Sequence, residues 1–177
     1  MAKVFVAIDV QNLWYGAREA FGNSYRVDFK ALRELITLSI PDNSDVEAIA
    51  YAVSSPEHDN SRFTRMLELM GYIVKSRYMR YDKVRDTPIN TDWDVGITVD
   101  TMQRSGDGSF DTFVLVSGDG DYSYLCEHLR NVDKRVLLFS FSDSTSSALK
   151  SAVDKSYVLD NRVVFDTHVT RRAVGFH

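Results

Sequence analysis

Four short apolar runs punctuate the chain, each ending in polar residues: Val4–Ile8, Val46–Val53, Phe113–Val116 and Arg135–Phe141. Runs of this length without alternation read as strands covered on both faces, the usual condition inside a parallel sheet. Between them the period changes. Leu13, Ala17 and Ala20 recur on one helix face within 12–21, and Leu32, Leu35 and Ile36 do so within 29–38, where Asp28 is placed to cap the first turn. Ser55-Pro56-Glu57 supplies a cap residue, a first-turn proline and an acid ahead of Phe63, Met66, Leu67 and Met70, with Gly71 as the stop. A further strand, rich in aromatics, is predicted over 72–81, and a short sixth over Tyr157–Leu159.

One segment is ambiguous in its period. Within 92–102, β-branched residues favour a strand, whereas Val95, Val99 and Met102 stand at helical offsets. A helix is expected, because a parallel connection into the strand at Phe113 needs an intervening element. The alternation of strands and helices then gives one α/β domain, a Rossmann-like three-layer sandwich. Its mainly parallel sheet has five to six strands, with order 3-2-1-4-5 expected. Residues 1–160 form the domain, and 161–177 are expected to be a C-terminal extension of it. Val163-Val164-Phe165 is expected to pair with a sheet edge or a neighbouring subunit, so a homodimer is conceivable.

Composition narrows the function. At 177 residues, with 44% hydrophobic and 26% charged positions, the chain has the make-up of an ordinary soluble domain. A formal net charge of −4 argues against simple duplex DNA binding, so any nucleic-acid contact has to come from a local patch or from metal ions. Cys126 is the sole cysteine, which excludes an internal disulfide and thiol-rich metal sites; a small buried apolar residue is the expected role. The first apolar run stops at Asp9, too short for a leader or a membrane span, and a cytoplasmic location is expected.

The candidate chemistry lies at the strand ends. Asp9 closes the first run, and Ser117-Gly118-Asp119-Gly120-Asp121 closes the one at Phe113. Open α/β sheets bind their ligands outside the carboxyl ends of the strands, where the strand order reverses. If the first and fourth strands are neighbours, Asp9 and Asp119 face each other there, and Asp94 approaches from the start of its helix. A plain strand-to-helix turn capped by Asp121 is the alternative reading of the second motif. Carboxylates gathered without partners repel, so the cluster needs raised pKa values or a bound cation. An all-oxygen set suits Mg2+ or Mn2+, which fits phosphodiester hydrolysis, with Asn12 and Ser117 orienting the acids.

The runs Asp9-x-x-Asn12, Asp94-Val95-x-x-x-Val99-Asp100 and Leu115-Val116-Ser117-Gly118-Asp119-x-Asp121-Tyr122 resemble the NYN domain of the PIN-like nuclease superfamily, in particular its bacterial LabA-like branch. The resemblance implies a metal-dependent ribonuclease with Asp9, Asp94, Asp119 and Asp121 around Mg2+ or Mn2+, and it makes Asp100 a recurrent acid of the same helix. Asp100 lies six residues beyond Asp94, roughly 240° around a helix, so the two cannot point the same way; it is ranked as a supporting residue. The chain departs from the family pattern in Thr91-Asp92-Trp93 before Asp94, in Val132-Asp133 before the fifth strand, and in Tyr122, where phenylalanine is usual.

Single-stranded or structured RNA is the partner implied. Arg77, Arg80 and Lys83, among Lys75, Arg85, Tyr78 and Tyr81, form the one mixed basic and aromatic patch and are the candidate substrate contacts; a solvated outer strand is the plainer reading. Trp14, Tyr15 and Arg18 offer a second wall. The rival function is a non-catalytic RNA-binding or regulatory protein that keeps the fold and its acids.

Overall fold

β1 (Lys3–Asp9) is buried from Val4 to Asp9 and stands at the centre of a six-stranded sheet. The structure, a computed structural model, describes residues 1–54, 60–82, 87–89 and 91–169, with the side chains of 80–82 and 87–89 outside the description. Along the chain follow α1 (Val10–Phe21), β2 (Tyr25–Val27), α2 (Phe29–Thr37), β3 (Asp45–Ser54), α3 (Ser61–Leu69), β4 (Ile73–Tyr78), β5 (Arg80–Asp82) and β6 (Thr87–Ile89). The second half comprises α4 (Asp94–Gly106), β7 (Thr112–Val116), α5 (Ser123–Asn131), β8 (Arg135–Phe141), α6 (Ser147–Ser151), β9 (Lys155–Leu159) and β10 (Val164–Asp166).

The sheet runs β4-β3-β1-β7-β8-β9, all parallel. Counting only its own strands, the order is 3-2-1-4-5 with the sixth added at the far edge, as expected. Strand alternation sorts the core into two layers. Val4, Val6 and Ile8 of β1 join Val114 and Val116 of β7 against Leu13 of α1, Leu32 of α2 and Leu67 of α3. Phe5 and Ala7 join Phe113 and Leu115 against Ile97 of α4, Leu125 of α5 and Leu149 of α6. Covered on both sides, these strands have no polar face to show, which is why they read as unbroken apolar runs.

Asp28 caps α2 as expected, its Oδ1 accepting from the Lys30 and Ala31 N–H groups at 3.0 Å each. Cys126 is fully buried, and burial pushes its thiol up to about 12, the state of an inert core residue. The expected strand over 72–81 divides: β4 ends at Tyr78, and β5 pairs antiparallel with β6 in a separate ribbon. β10 pairs antiparallel with β2 of the same chain, so this segment finds its partner internally rather than at a neighbouring subunit. The Ser55-Pro56-Glu57 helix start, Lys83 and Arg85 lie outside the described residues, as does the side chain of Arg80.

α4 is a helix, but its inward face is not the one its apolar spacing suggested. Val95 and Val99 are exposed, whereas Ile97 and Thr101 are buried. Thr101 tolerates this position because its hydroxyl donates to the Ile97 carbonyl at 2.7 Å, leaving no unpaired polar atom in the core.

Candidate active site

The strand order reverses between β1 and β7, and the crevice beyond their carboxyl ends gathers the acids. Asp9 is the last residue of β1 and the cap of α1; its Oδ1 accepts the Asn12 N–H at 3.0 Å. Only 6% of Asp9 is exposed. From the first turn of α1, Asn12 reaches across with its Oδ1 to accept the Gly118 N–H at 2.8 Å, tying that helix to the loop after β7. Ser117 Oγ accepts the Asp119 N–H at 3.2 Å. Asp119 Oδ1 in turn accepts the Asp121 N–H at 3.0 Å, so Asp119, and not Asp121, caps the 3-10 turn Gly120–Tyr122.

The loop after β8 closes on this one. The Gly118 carbonyl accepts the Ser146 N–H at 3.1 Å, and a Cβ on Gly118 would stand 2.4 Å from the Ser144 carbonyl oxygen. No side chain fits there, which explains the glycine between the strand end and Asp119.

Asp94 enters from the first turn of α4, a helix whose start has no side-chain cap. Its position is held by its neighbour Trp93. The indole Nε1 donates to the Ala52 carbonyl at 2.8 Å, and the ring packs edge-on against Tyr51 at 5.3 Å between centroids. Arg77 lies over the other part of this ring at 3.9 Å and donates from Nη1 to the Asp92 carbonyl at 2.7 Å. Arg77 therefore braces the segment carrying Asp94.

Tyr122 joins the two acids. Its hydroxyl stands 2.9 Å from Asp94 Oδ1 and 3.3 Å from Asp9 Oδ2. Asp9 and Asp94 thus converge on one hydroxyl, the Asp119 charge acts on both, and Asp121 is exposed at the rim. Asp100 belongs to a separate cluster, where its carboxylate accepts the Tyr51 hydroxyl at 2.8 Å and pairs with Lys75.

A family model for the NYN domain matches residues 3–160. The chain belongs to the NYN domain family. A crystal structure of a protein of unknown function from Vibrio parahaemolyticus RIMD 2210633 shares the fold at TM-score 0.78 and 31% identity, over 93% of this chain and 96% of that one. A second, provisionally assigned as a UDP-N-acetylglucosamine 2-epimerase from Listeria monocytogenes, reaches TM-score 0.46 at 12% identity over 100% of this chain and 44% of that one, and carries no argument. No curated protein matches the chain. No described helix is long and apolar enough to cross a membrane.

Electrostatics set the NYN site apart. Burial pushes Asp9 up to about 6; the Asn12 N–H bond works against this, and the nearby Asp94 and Asp119 charges add to the rise. Burial likewise raises Asp94, with Asp92, Asp119 and Asp121 adding to it while the Tyr122 hydrogen bond opposes. The Tyr122 phenol is held well above its ordinary value by burial and by both carboxylates, so it remains a proton donor. Among the described residues no ion pair reaches Asp9, Asp94, Asp119 or Asp121. Among them, too, no three His, Cys, Asp or Glu side chains stand in a ready-made metal-binding group. In donor type and charge the three acids nevertheless fit a hard divalent cation, since they are oxygen ligands whose repulsion lacks a positive partner among the described residues.

The sequence reading missed Tyr122, Trp93 and the Gly118–Ser144 contact. Tyr122 carried a signal: a hydroxyl where the family pattern has a plain ring. Trp93 carried a weaker one, as part of the departure from the family pattern just before Asp94.

Proposed function

We propose that this NYN protein is a metal-dependent ribonuclease of the LabA-like branch, acting in the cytoplasm on single-stranded or structured RNA. The observation that carries this reading is the convergence of Asp9, Asp94 and Asp119 at the strand-order reversal, buried or half-buried and without a basic partner among the described residues. Asp9, Asp94 and Asp119 hold the cation, Mg2+ or Mn2+, and Asp121 supports it from the rim. When bound, such an ion supplies an activated water and neutralises charge on the scissile phosphate. Asn12 ties the two strand-end loops together, Ser117 fixes the backbone of Asp119, and Arg77 braces the segment that carries Asp94. Arg80 and Lys83 are the further candidate contacts to the RNA backbone. Residues 1–160 act as the catalytic domain, with 161–177 as its extension.

The rival, an RNA-binding or regulatory protein that does not cut, is favoured by one observation: a tyrosine hydroxyl already stands between two of the acids. Incubating the purified protein with single-stranded RNA and Mn2+, beside Asp119→Asn, separates the two. The ribonuclease reading expects fragments from the wild type and none from the variant. Binding without cutting by both proteins would establish the rival.

A further inference from the structure

Tyr122 is 1% exposed, and its ring belongs to the core layer under α4, α5 and α6. Its backbone is fixed by the 3-10 turn that Asp119 caps and that runs directly into α5. The hydroxyl therefore cannot swing out to solvent; it can only choose between its acceptors. It has one proton, and two carboxylates face it. Asp9 Oδ1 takes the Asn12 N–H, and the phenol falls on the other oxygen, Oδ2.

Resting on the cation-binding reading of this site, we propose that the Tyr122 hydroxyl is the residue that sets cation affinity. It holds the place between Asp9 and Asp94, and its contact with Asp9 Oδ2 competes with an ion for the charge on that oxygen. Without the ion, the phenol proton is shared between the two carboxylates and offsets their repulsion. With the ion, the phenol keeps only Asp94, the closer acceptor. A contact that is stronger in the ion-free state than in the bound state lowers affinity by the difference. A phenylalanine at this position would leave the carboxylates free to close on the ion. The hydroxyl thereby makes occupancy responsive to cation concentration rather than permanent.

The test is Mn2+ titration of Tyr122→Phe and wild type without RNA, read by electron paramagnetic resonance, together with melting curves with and without the ion. Loss of one hydrogen bond to a charged acceptor is expected to tighten Mn2+ binding about ten-fold. The variant is also expected to melt earlier without the ion and to gain more from its addition. Equal or weaker Mn2+ binding by the variant overturns the proposal, and a role in packing alone would lower melting in both conditions and leave affinity unmoved. If neither protein binds Mn2+, the cation reading of the site falls and the proposal with it; if both bind alike, the site stands and the proposal alone is lost. Should the variant not fold, the wild type still decides. Its Tyr122 hydroxyl proton, followed by nuclear magnetic resonance, is expected to shift when Mg2+ is added, and an unmoved signal overturns the proposal.

Discussion

Two buried tyrosines make nearly the same hydrogen bond, yet they belong to clusters of opposite character. Asp9 and Tyr51 stand opposite one another in β1 and β3, and Tyr51 stands opposite Lys75 in β4. Tyr51 donates to Asp100 at 2.8 Å, and Tyr122 donates to Asp94 at 2.9 Å. Around Asp100 the next neighbour is an ammonium group; although burial opposes it, the bonds from Lys75 and Tyr51 hold its carboxyl below the ordinary value. Around Asp94 and Asp9 the next neighbours are further carboxylates, and both values rise. The first cluster contains its own cation and is complete as a structural unit. The second has a similar tyrosine–carboxylate bond but, among the described residues, no cation, and that unbalanced charge is what supports the proposed site.

Substitution should separate the clusters most sharply in activity. Asp9→Asn is expected to reduce Mn2+-dependent RNA cleavage about a thousandfold, since it removes a charged ligand that acts through several kcal/mol of charge stabilisation. Asp100→Asn should leave cation affinity as it was. Cleavage and Mn2+ titration on the two variants check both, and comparable losses in the two would break the contrast.

The next effect is on the pH dependence of stability in metal-free buffer. The unfolded chain releases the Asp9 proton near 3.8 and the folded chain only near 6, so raising the pH through this interval favours unfolding. Urea unfolding should show a fall of about 3 kcal/mol from this group between those values, constant above them and absent in Asp9→Asn. Asp100 works with the opposite sign, because its lowered value gives stability that is present above about 3.8 and lost as the pH drops below it.

Asp100→Ala comes next, at a cost of about 2 kcal/mol in urea unfolding, because the fully buried Tyr51 hydroxyl loses its acceptor. Smallest is Arg77→Ala. It removes the ring contact and the Asp92 bond that brace Asp94 without touching an acid, and should lower cleavage about ten-fold, the usual cost of losing a supporting contact. An unchanged rate would show that Trp93 alone fixes Asp94.

The arrangement of the fold was legible because its strands are buried on both faces. Val4–Ile8 and Phe113–Val116 admit no polar residue, so their ends, and the acids on them, stand out. The inward face of α4 was not legible. Val95, Val99 and Met102 share the helical period with Ile97 and Thr101, and which set turns inward depends on tertiary contacts such as Trp93 on Tyr51. The β2–β10 pairing joins segments too short to declare themselves and far apart in the chain. Within the site, Asn12 and Ser117 carried a spacing that placed them near the acids. Arg77 reads as an RNA contact from its neighbours in the sequence, and that its guanidinium also lies on Trp93 was not announced by them. Such a bond depends on where the start of α4 meets β4, which no local pattern encodes.

Anomalous diffraction from crystals grown with Mn2+ tests the central claim most directly. The account predicts a peak within bonding distance of Asp9, Asp94 and Asp119, with the Tyr122 hydroxyl withdrawn from Asp9. A peak at Asp100 instead, or none in the crevice at saturating Mn2+, would contradict it.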